Sequence, residues 1–116
     1  MEENQGQQRY KYDIMYKRSK ILKNWNKRQI ILNFINNTLS LKSSSKKSKE
    51  KIINLHQYEI QWNGKTKKSN IYFFSLRAVL NINAQKYKRI YIGDVNEAKA
   101  LDWKDKIETV IESKFV

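Results

Sequence analysis

The sequence predicts a mainly β domain, a partly open barrel of six to seven antiparallel strands capped by one C-terminal α-helix. Two patterns predict this fold class. Over residues 12–92, apolar and polar residues alternate in several short stretches, which is typical of strands with one buried face. After residue 94, apolar residues recur at spacings of three and four, which is typical of an amphipathic helix. Because such strands must bury one face, we expect the helix to cover the open sheet.

The first two predicted strands form a hairpin around a basic loop. Met15 and Lys17 share one face of the first strand, because side chains two residues apart point the same way. One face of the second strand carries a basic residue and then apolar ones: Arg28, Ile30, Leu32 and Phe34. The predicted core face therefore becomes cationic at the end nearest the loop. Residues 36–37, both Asn, are a candidate tight turn after the second strand.

The remaining predicted strands are shorter and cover residues 39–41, 52–62 with a bend, 71–76, 78–83 and 87–92. Two loops separate them. Residues 42–51 form a Ser/Lys loop without an apolar residue. Residues 65–69 form a second basic loop after Asn63 and Gly64, which are a strong turn signal.

The C-terminal segment is the predicted helix. It starts in residues 94–97, where Asp94 and Glu97 give a capping-box-like pattern with acid near the helix N-terminus. The apolar residues that follow lie on one helical face: Ala100, Trp103, Ile107, Val110 and Ile111. This pattern predicts a helix of about eighteen residues whose apolar face plugs the barrel.

The net charge of +13 over 116 residues is unevenly distributed. Residues 1–93 carry 20 Lys and Arg against 5 Asp and Glu, whereas residues 94–116 carry 4 against 6. The chain has no cysteine, which excludes disulfides and thiolate metal sites. No apolar run approaches the roughly 18 residues of a membrane span. We expect neither a secretory signal in the polar start nor N-myristoylation, because Glu2 stands where that modification requires glycine.

Residues 17–28 are the most informative segment of the sequence. Six of these twelve residues are basic, none is acidic, and Ile21 and Leu22 are consecutive apolar residues among the cations. A cluster of uncompensated positive charge indicates an anionic partner. Because apolar residues lie within the cluster, the pattern favours a phospholipid surface.

The sequence argues against an enzyme. His56 is the single histidine and has no evident nucleophile or acid partner. Between residues 10 and 93 the carboxylates are few and scattered: Asp13, Glu50 and Glu59. They suggest neither an acid/base pair nor an oxygen-ligand metal cage, and the three glycines are too far apart for a phosphate loop. We therefore expect no catalytic residue, metal or cofactor.

These features together resemble the pleckstrin homology (PH) domain family over residues 12–114. The residues that carry the resemblance are Lys17, Trp25, Arg28, Ile30 and Leu32 in the first hairpin, Leu39, Leu41, Ile53 and Leu55 in the next strands, residues 91–93, and Trp103 in the helix. The resemblance implies a PH-like barrel over residues 12–116, preceded by a flexible segment over residues 1–11.

The resemblance also implies a function and its residues. In phosphoinositide-binding members, basic residues at the end of strand one and on strand two hold head-group phosphates, which gives these roles to Lys17 and Arg28. Asn26 replaces the first basic residue of the second pair. We therefore expect recognition of anionic lipid in general, whether phosphoinositide or phosphatidic acid.

The predicted function is membrane targeting through anionic phospholipid head groups. Further head-group residues are predicted in and near the basic loops: Lys20, Lys23, Lys27, Lys49 and Lys51. Ile21 and Leu22 are predicted to insert into the membrane. We expect a monomer in the cytoplasm, peripheral on the cytosolic face of a membrane. The alternative is a PH-like protein-interaction or scaffolding module without a specific lipid. We do not expect nucleic acid as a partner, because the predicted helix is net acidic.

Overall fold

The computed structural model describes residues 9–19, 23–43, 50–79 and 89–113. In chain order its elements are β1 (Tyr10–Arg18), β2 (Trp25–Asn33), β3 (Thr38–Lys42), β4 (Lys51–Asn54), a 3₁₀ turn (Leu55–Gln57), β5 (Tyr58–Lys65), β6 (Tyr72–Ala78), β7 (Arg89–Asp94) and the helix α1 (Glu97–Glu112). The predicted fold class, a mainly β domain with one C-terminal helix, is confirmed.

The seven strands form one antiparallel sheet in the order β4-β3-β2-β1-β7-β6-β5. β1 therefore lies in the middle, between its hairpin partner β2 and the last strand, β7. The face that we call the inner face carries the core, and its buried residues come from both halves of the sheet, among them Met15, Leu39, Phe74 and Ile92. The opposite side is called the outer face. Outside the bulge in β5, alternation along the strands determines which residues lie on each face.

The helix covers the inner face at one end. It contacts β5, the 3₁₀ turn, β6 and β7, and it buries the five apolar residues that the sequence pattern identified. Its N-cap is Asn96, whose side chain accepts a hydrogen bond from the Lys99 amide at 3.0 Å. The predicted start at Asp94 is two residues early, because Asp94 belongs to β7 and accepts from the Asn96 amide instead.

Trp103 joins the helix to β1. Its ring is fully buried, and its indole N–H donates to Asp13 at 3.2 Å. Lys99 lies 3.1 Å from the same carboxylate and 3.4 Å from Asp94. Burial raises the pKa of Asp13, but hydrogen bonds from the Ile14 amide, Trp103 and Lys99 outweigh it and hold this pKa below its ordinary value.

One of two predicted turns is confirmed, and the other is wrong. The turn at residues 36–37 is confirmed, and Asn37 has a positive φ of 60°. Asn63 and Gly64 do not form a turn. They lie within β5 at a β-bulge, where Gly64 has a φ of 83° and the register against β6 shifts. The hairpin turn follows after β5, because Thr66 donates its amide to the Ile71 carbonyl at 2.8 Å.

The other strand boundaries are close to the predictions. The expected bend between residues 52 and 62 is the 3₁₀ turn that separates β4 from β5. The short strand predicted over residues 78–83 falls mainly outside the described residues. β1 already begins at Tyr10, inside the segment 1–11 that the sequence assigned to a flexible terminus.

Candidate functional site

The register of the β1–β2 hairpin places the two principal predicted site residues on the same face. Lys17 lies opposite Asn26, and Arg28 lies opposite Met15. Lys17 and Arg28 are therefore diagonal neighbours, for which a separation of about 7–8 Å is typical. Since Met15 is buried in the core, this is the inner face, and it becomes cationic where the sheet opens near the hairpin loop.

Lys51 lies on the inner face as well. It begins β4 opposite Leu41, and Leu41 lies opposite Ile30 of β2. Two strand spacings, about 10 Å, therefore separate Lys51 from the β2 strand that carries Arg28. The Arg28 guanidinium donates to the Lys27 carbonyl at 2.8 Å, a local contact that spares most of its five donors. We call Lys17, Arg28 and Lys51 the inner mouth.

The other predicted lysines do not join the inner mouth. Lys27 lies opposite Tyr16 and is exposed on the outer face. Lys23 is exposed at the end of the hairpin loop with a positive φ of 56°. The predicted head-group residues Lys20 and Lys49 and the predicted insertion residues Ile21 and Leu22 lie outside the described residues.

A cavity of about 440 Å³ lies on the outer face at the same end of the sheet, between the β1–β2 hairpin and the β5–β6 turn. We call it the outer groove. Five cations line it: Arg18, Lys23, Lys65, Lys67 and Lys68. The hairpin is therefore cationic on both faces, and the outer groove also brings the second basic loop of the sequence to the first.

Aromatic and turn contacts hold the outer groove in place. The rings of Trp25 and Phe73 pack edge to face with centroids 5.4 Å apart, which ties the hairpin to β6. The Arg18 guanidinium lies over the Tyr91 ring at 5.3 Å, a cation–π contact that leaves its positive charge uncompensated. In the β5–β6 turn, the Thr66 hydroxyl accepts hydrogen bonds from the amides of Ser69 and Ile71.

Both sides of the hairpin lack acidic neighbours along the chain. The sequence has no Asp or Glu over residues 14–49, and none over residues 60–93. These two segments supply the inner-mouth residues Lys17 and Arg28 and every cation of the outer groove. The field at this end of the domain is therefore positive and favours anionic ligands.

Sequence reasoning missed Arg18 and did not place Lys65, Lys67 and Lys68 in a site. Arg18 follows Lys17 directly, so it points to the opposite face. The groove exists because β1 pairs with β7 and β7 pairs with β6, and these pairings join residues far apart in sequence. The lysines of the second basic loop were visible in the sequence. No short stretch of sequence indicates that this loop lies beside the β1–β2 hairpin.

The single histidine contacts the C-terminal end of α1. The His56 ring nitrogen lies 3.1 Å from the Val110 carbonyl and 3.0 Å from the Ser113 hydroxyl, both at the end of α1. Within the described ranges, no group of three or more His, Asp or Glu side chains is placed to hold a metal ion. No helix that the structure describes is long and apolar enough to cross a membrane.

The chain has the pleckstrin homology fold. Structures similar to it are the C-terminal PH domain of pleckstrin, the PH domain of Slm1 and the PH domain of human oxysterol-binding protein-related protein 11. The identities are 15%, 18% and 12%, and the TM-scores 0.65, 0.67 and 0.67. The matches cover 87%, 87% and 95% of this chain and 95%, 96% and 86% of the other chains.

Two of these similar domains have solved complexes with phosphorylated ligands. The pleckstrin domain has been solved with an inositol pentakisphosphate, and the Slm1 domain with inositol 4-phosphate and with phosphoserine. A further Slm1 study reports ligand binding at a site other than the usual one. No family model matches this chain, and no curated protein matches its sequence.

Proposed function

We propose that this domain is a non-enzymatic module that binds the phosphorylated head groups of anionic phospholipids and so attaches peripherally to the cytosolic face of a membrane. The observation that carries the proposal is the shared inner face of Lys17 and Arg28 at the open end of the sheet. The phosphorylated ligands of the pleckstrin and Slm1 domains support it.

The chemistry of the inner mouth suits a phosphate group. Arg28 offers a planar fork that binds two phosphate oxygens at once, and Lys17 offers a compact point charge. Each Lys or Arg near an anionic bilayer contributes about 1 kcal/mol. The hairpin lysines Lys20, Lys23 and Lys27, together with Lys49 and Lys51 near β4, would add contacts to neighbouring head groups, and Ile21 and Leu22 would insert beside them.

The outer groove offers a second position for the same head group. It faces the same end of the domain and carries more cations than the inner mouth. The report of Slm1 ligand binding away from the usual site supports testing both faces. The lipid, whether phosphoinositide or phosphatidic acid, is to be identified by the same experiment.

The experiment is co-sedimentation with vesicles of phosphatidylcholine alone, or with added phosphatidic acid or phosphoinositide, at low and at physiological salt. We expect anionic vesicles to bind the protein more strongly, and binding to weaken with salt because the Debye length shrinks. Replacing both Lys17 and Arg28 with alanine removes about 2 kcal/mol, which is roughly a thirtyfold loss.

The matched control replaces Lys104 and Lys106 of α1, which changes the net charge equally. Both lysines form ion pairs on the helix, with Glu108 and Asp102. A third variant, Lys67→Ala with Lys68→Ala, tests the outer groove. Equal losses in all three variants mean diffuse attraction and contradict a site. No preference for anionic vesicles contradicts the proposal as a whole.

The second candidate is a protein-interaction module. A row of side chains crosses the outer face from β1 to β4, and three of its four members are apolar: Tyr12, Ile31 and Ile52, with Ser40 of β3 between the last two. Tyr12 is 56% exposed and Ile52 58%. Exposed apolar patches of this kind are typical of interaction surfaces. Double substitution of Tyr12 and Ile52 by threonine, which leaves the net charge unchanged, would leave vesicle binding intact and weaken partner binding.

A further inference from the structure

A second polar cavity, of about 240 Å³, lies on the outer face of β5, β6 and β7. We call it the arginine cavity, because Arg77 and Arg89 line it directly opposite one another in the β6–β7 register. Glu59 of β5 lies on the other side of Arg77 and forms an ion pair with it. Asn63 lines both this cavity and the outer groove, so the two cavities adjoin.

The strand register places the arginine cavity at the hairpin end of the domain. Gly93 of β7 lies opposite Tyr16 of β1 and, on its other side, opposite Phe73 of β6. β7 runs antiparallel to β1, so Arg89, four residues before Gly93, lies about 13 Å further toward the β1–β2 loop. The cavity therefore faces the same end as the inner mouth and the outer groove.

Two arginines connect the cavities. Lys17 lies opposite Ile92, and the next residue, Arg18, has its guanidinium over the Tyr91 ring at 5.3 Å. Arg89 lies two residues from Tyr91 on the same face, which makes it a diagonal neighbour of Arg18, and a separation of about 7–8 Å is typical of such a pair. Since Arg18 lines the outer groove and Arg89 the arginine cavity, the two cavities form one continuous cationic surface.

The protein does not balance the charges on this surface. Among the described residues, no acid lines the outer groove, and Arg89 has no ion pair. Like charges directly opposite one another, such as Arg77 and Arg89, destabilise an antiparallel pair. A phosphate monoester carries about −1.5 to −2 charges at pH 7. One such group in the outer groove would leave Arg89 uncompensated, so the surface favours a ligand with at least two phosphates.

The floor of the arginine cavity is polar and uncharged. Ser75 is 8% exposed, and its hydroxyl has no hydrogen-bond partner in the part of the chain that the structure describes. Leaving a buried hydroxyl unpaired is unfavourable, so a ligand atom bonded to it would remove a cost. Its neighbours in register, Gln61 and Tyr91, add amide and phenol groups. Such groups both donate and accept, which suits the hydroxyls of a polyol.

We propose that the outer groove and the arginine cavity together bind a polyol that carries two or more phosphate groups. One phosphate lies among the lysines of the β5–β6 turn, the second binds the Arg89 guanidinium with help from Arg77, and the polyol hydroxyls contact Ser75 and Gln61. The arginine cavity alone is smaller than the roughly 300–1,000 Å³ typical of ligand pockets, so it suits one part of a ligand that extends into the outer groove.

This inference rests on the proposed function, because it names the head group that the hairpin end prefers. A phosphoinositide with two phosphates on its ring supplies both the polyol and the charges, whereas phosphatidic acid has a single phosphate and no ring. A free inositol phosphate offers the same chemistry without a lipid. Soluble ligands and vesicles therefore form separate arms of the test.

The soluble arm is a titration of isotope-labelled protein with inositol bisphosphate or inositol monophosphate at equal total phosphate, followed by amide chemical shifts. We expect the bisphosphate to shift the β5–β6 turn and the residues around Ser75 and Arg89 in one saturable step. Its affinity should be about tenfold higher than that of the monophosphate, because the second phosphate adds charge-assisted hydrogen bonds. Equal affinities, or bisphosphate shifts confined to one of the two cavities, overturn the inference.

Two variants and a matched control locate the second phosphate. Arg89→Gln is expected to weaken bisphosphate binding about tenfold and Ser75→Ala about threefold, with the monophosphate affinity unchanged in both. The control is Arg9→Gln, which removes one positive charge at an exposed position just before β1, at the opposite end of that strand from the hairpin loop. Equal losses in Arg89→Gln and Arg9→Gln mean diffuse attraction and overturn the inference.

The vesicle arm compares a phosphoinositide bisphosphate with phosphatidic acid at equal negative charge. We expect the wild type to prefer the phosphoinositide about tenfold and Arg89→Gln to lose this preference while it still binds phosphatidic acid. Equal wild-type binding to both lipids, or a preference that Arg89→Gln retains, overturns the inference and leaves the head-group function standing. If no anionic vesicle binds the wild type, the head-group function fails. Binding of free inositol bisphosphate at both cavities then supports the inference with a soluble ligand.

Discussion

The two ends of β1 use their charges in opposite ways. Near its start, Lys11 contacts Asp102 of the helix at 2.9 Å, and Asp13 accepts from Trp103 and Lys99. At its other end, Arg18 lies over an aromatic ring, and the described residues give it no carboxylate. Charges at the first end therefore attach the helix to the sheet, whereas the Arg18 guanidinium at the second end can contact an anionic ligand.

This contrast separates stability from binding along a single strand. We expect substitutions at the helix end to lower the free energy of unfolding without a specific effect on vesicle binding. We expect substitutions at the hairpin end to weaken vesicle binding with little effect on the free energy of unfolding. The predictions below test this separation, from the largest expected effect to the smallest.

Trp103→Ala is expected to have the largest effect. The side chain is fully buried and also donates to Asp13, so its removal leaves a cavity and an unpaired acceptor. The expected loss is about 3–5 kcal/mol in the free energy of unfolding, measured by urea denaturation with circular dichroism. Leu101→Ala, on the exposed side of the same helix, is the control. A loss in Trp103→Ala as small as that in Leu101→Ala would show that the buried ring does not anchor the helix to the sheet.

Gly93→Ala tests the close approach of β7 to β6. A Cβ at this position would lie 2.4 Å from the Tyr72 carbonyl oxygen and 2.7 Å from the Phe73 Cβ, so the backbone must shift. We expect a loss of about 1–3 kcal/mol, measured as the midpoint of urea unfolding. Val95→Ala, at an exposed position just after β7, should change little. An unchanged midpoint in Gly93→Ala would mean that the close approach is relieved without cost.

The predictable parts of the structure are those that local periodicity determines. The alternation around Met15 and Arg28 fixes which side chains share a face once β1 and β2 pair through a short loop. The spacing of the apolar helix residues likewise identified Trp103 as buried. The inner mouth followed from the same alternation, because its two principal residues lie on neighbouring strands.

The parts that the sequence did not determine depend on long-range pairing or on ambiguous signals. The outer groove requires β7 to pair with β1 and β6 to pair with β7, which no local pattern specifies. Gly64 shows the ambiguity: a positive φ suits a hairpin turn and a β-bulge equally, and here it serves the bulge. The N-cap was placed at Asp94, because Asp and Asn are both good caps.

Lys11→Ala and Arg18→Ala form a matched pair, since each removes one positive charge from β1. Lys11→Ala breaks the ion pair with Asp102 and the contact over the Trp103 ring, so we expect about 1 kcal/mol less stability and unchanged vesicle binding. Arg18→Ala is expected to weaken binding to anionic vesicles about fivefold with little effect on stability. Urea denaturation measures the change in stability, and vesicle co-sedimentation measures the change in binding. Equal effects of both variants in either assay would contradict the division of β1.

The smallest expected effect is the acid sensitivity of the helix end. The pKa of Asp13 is lowered from its reference of 3.8 in the folded state, so its stabilising contribution is complete above that value and is lost as the pH falls through the folded pKa. Because the Asp13 side chain is 34% exposed, we expect its contribution to be less than about 1 kcal/mol. Asp13→Asn should lower stability at neutral pH and make it less dependent on pH below 4, as measured by urea denaturation across the acid range. Glu97→Gln, at an exposed position in the first turn of α1, is the control. If Asp13→Asn keeps the wild-type acid dependence, the carboxylate does not couple β1 to the helix, and the charges at this end of the strand contribute less to attachment than the buried Trp103 ring.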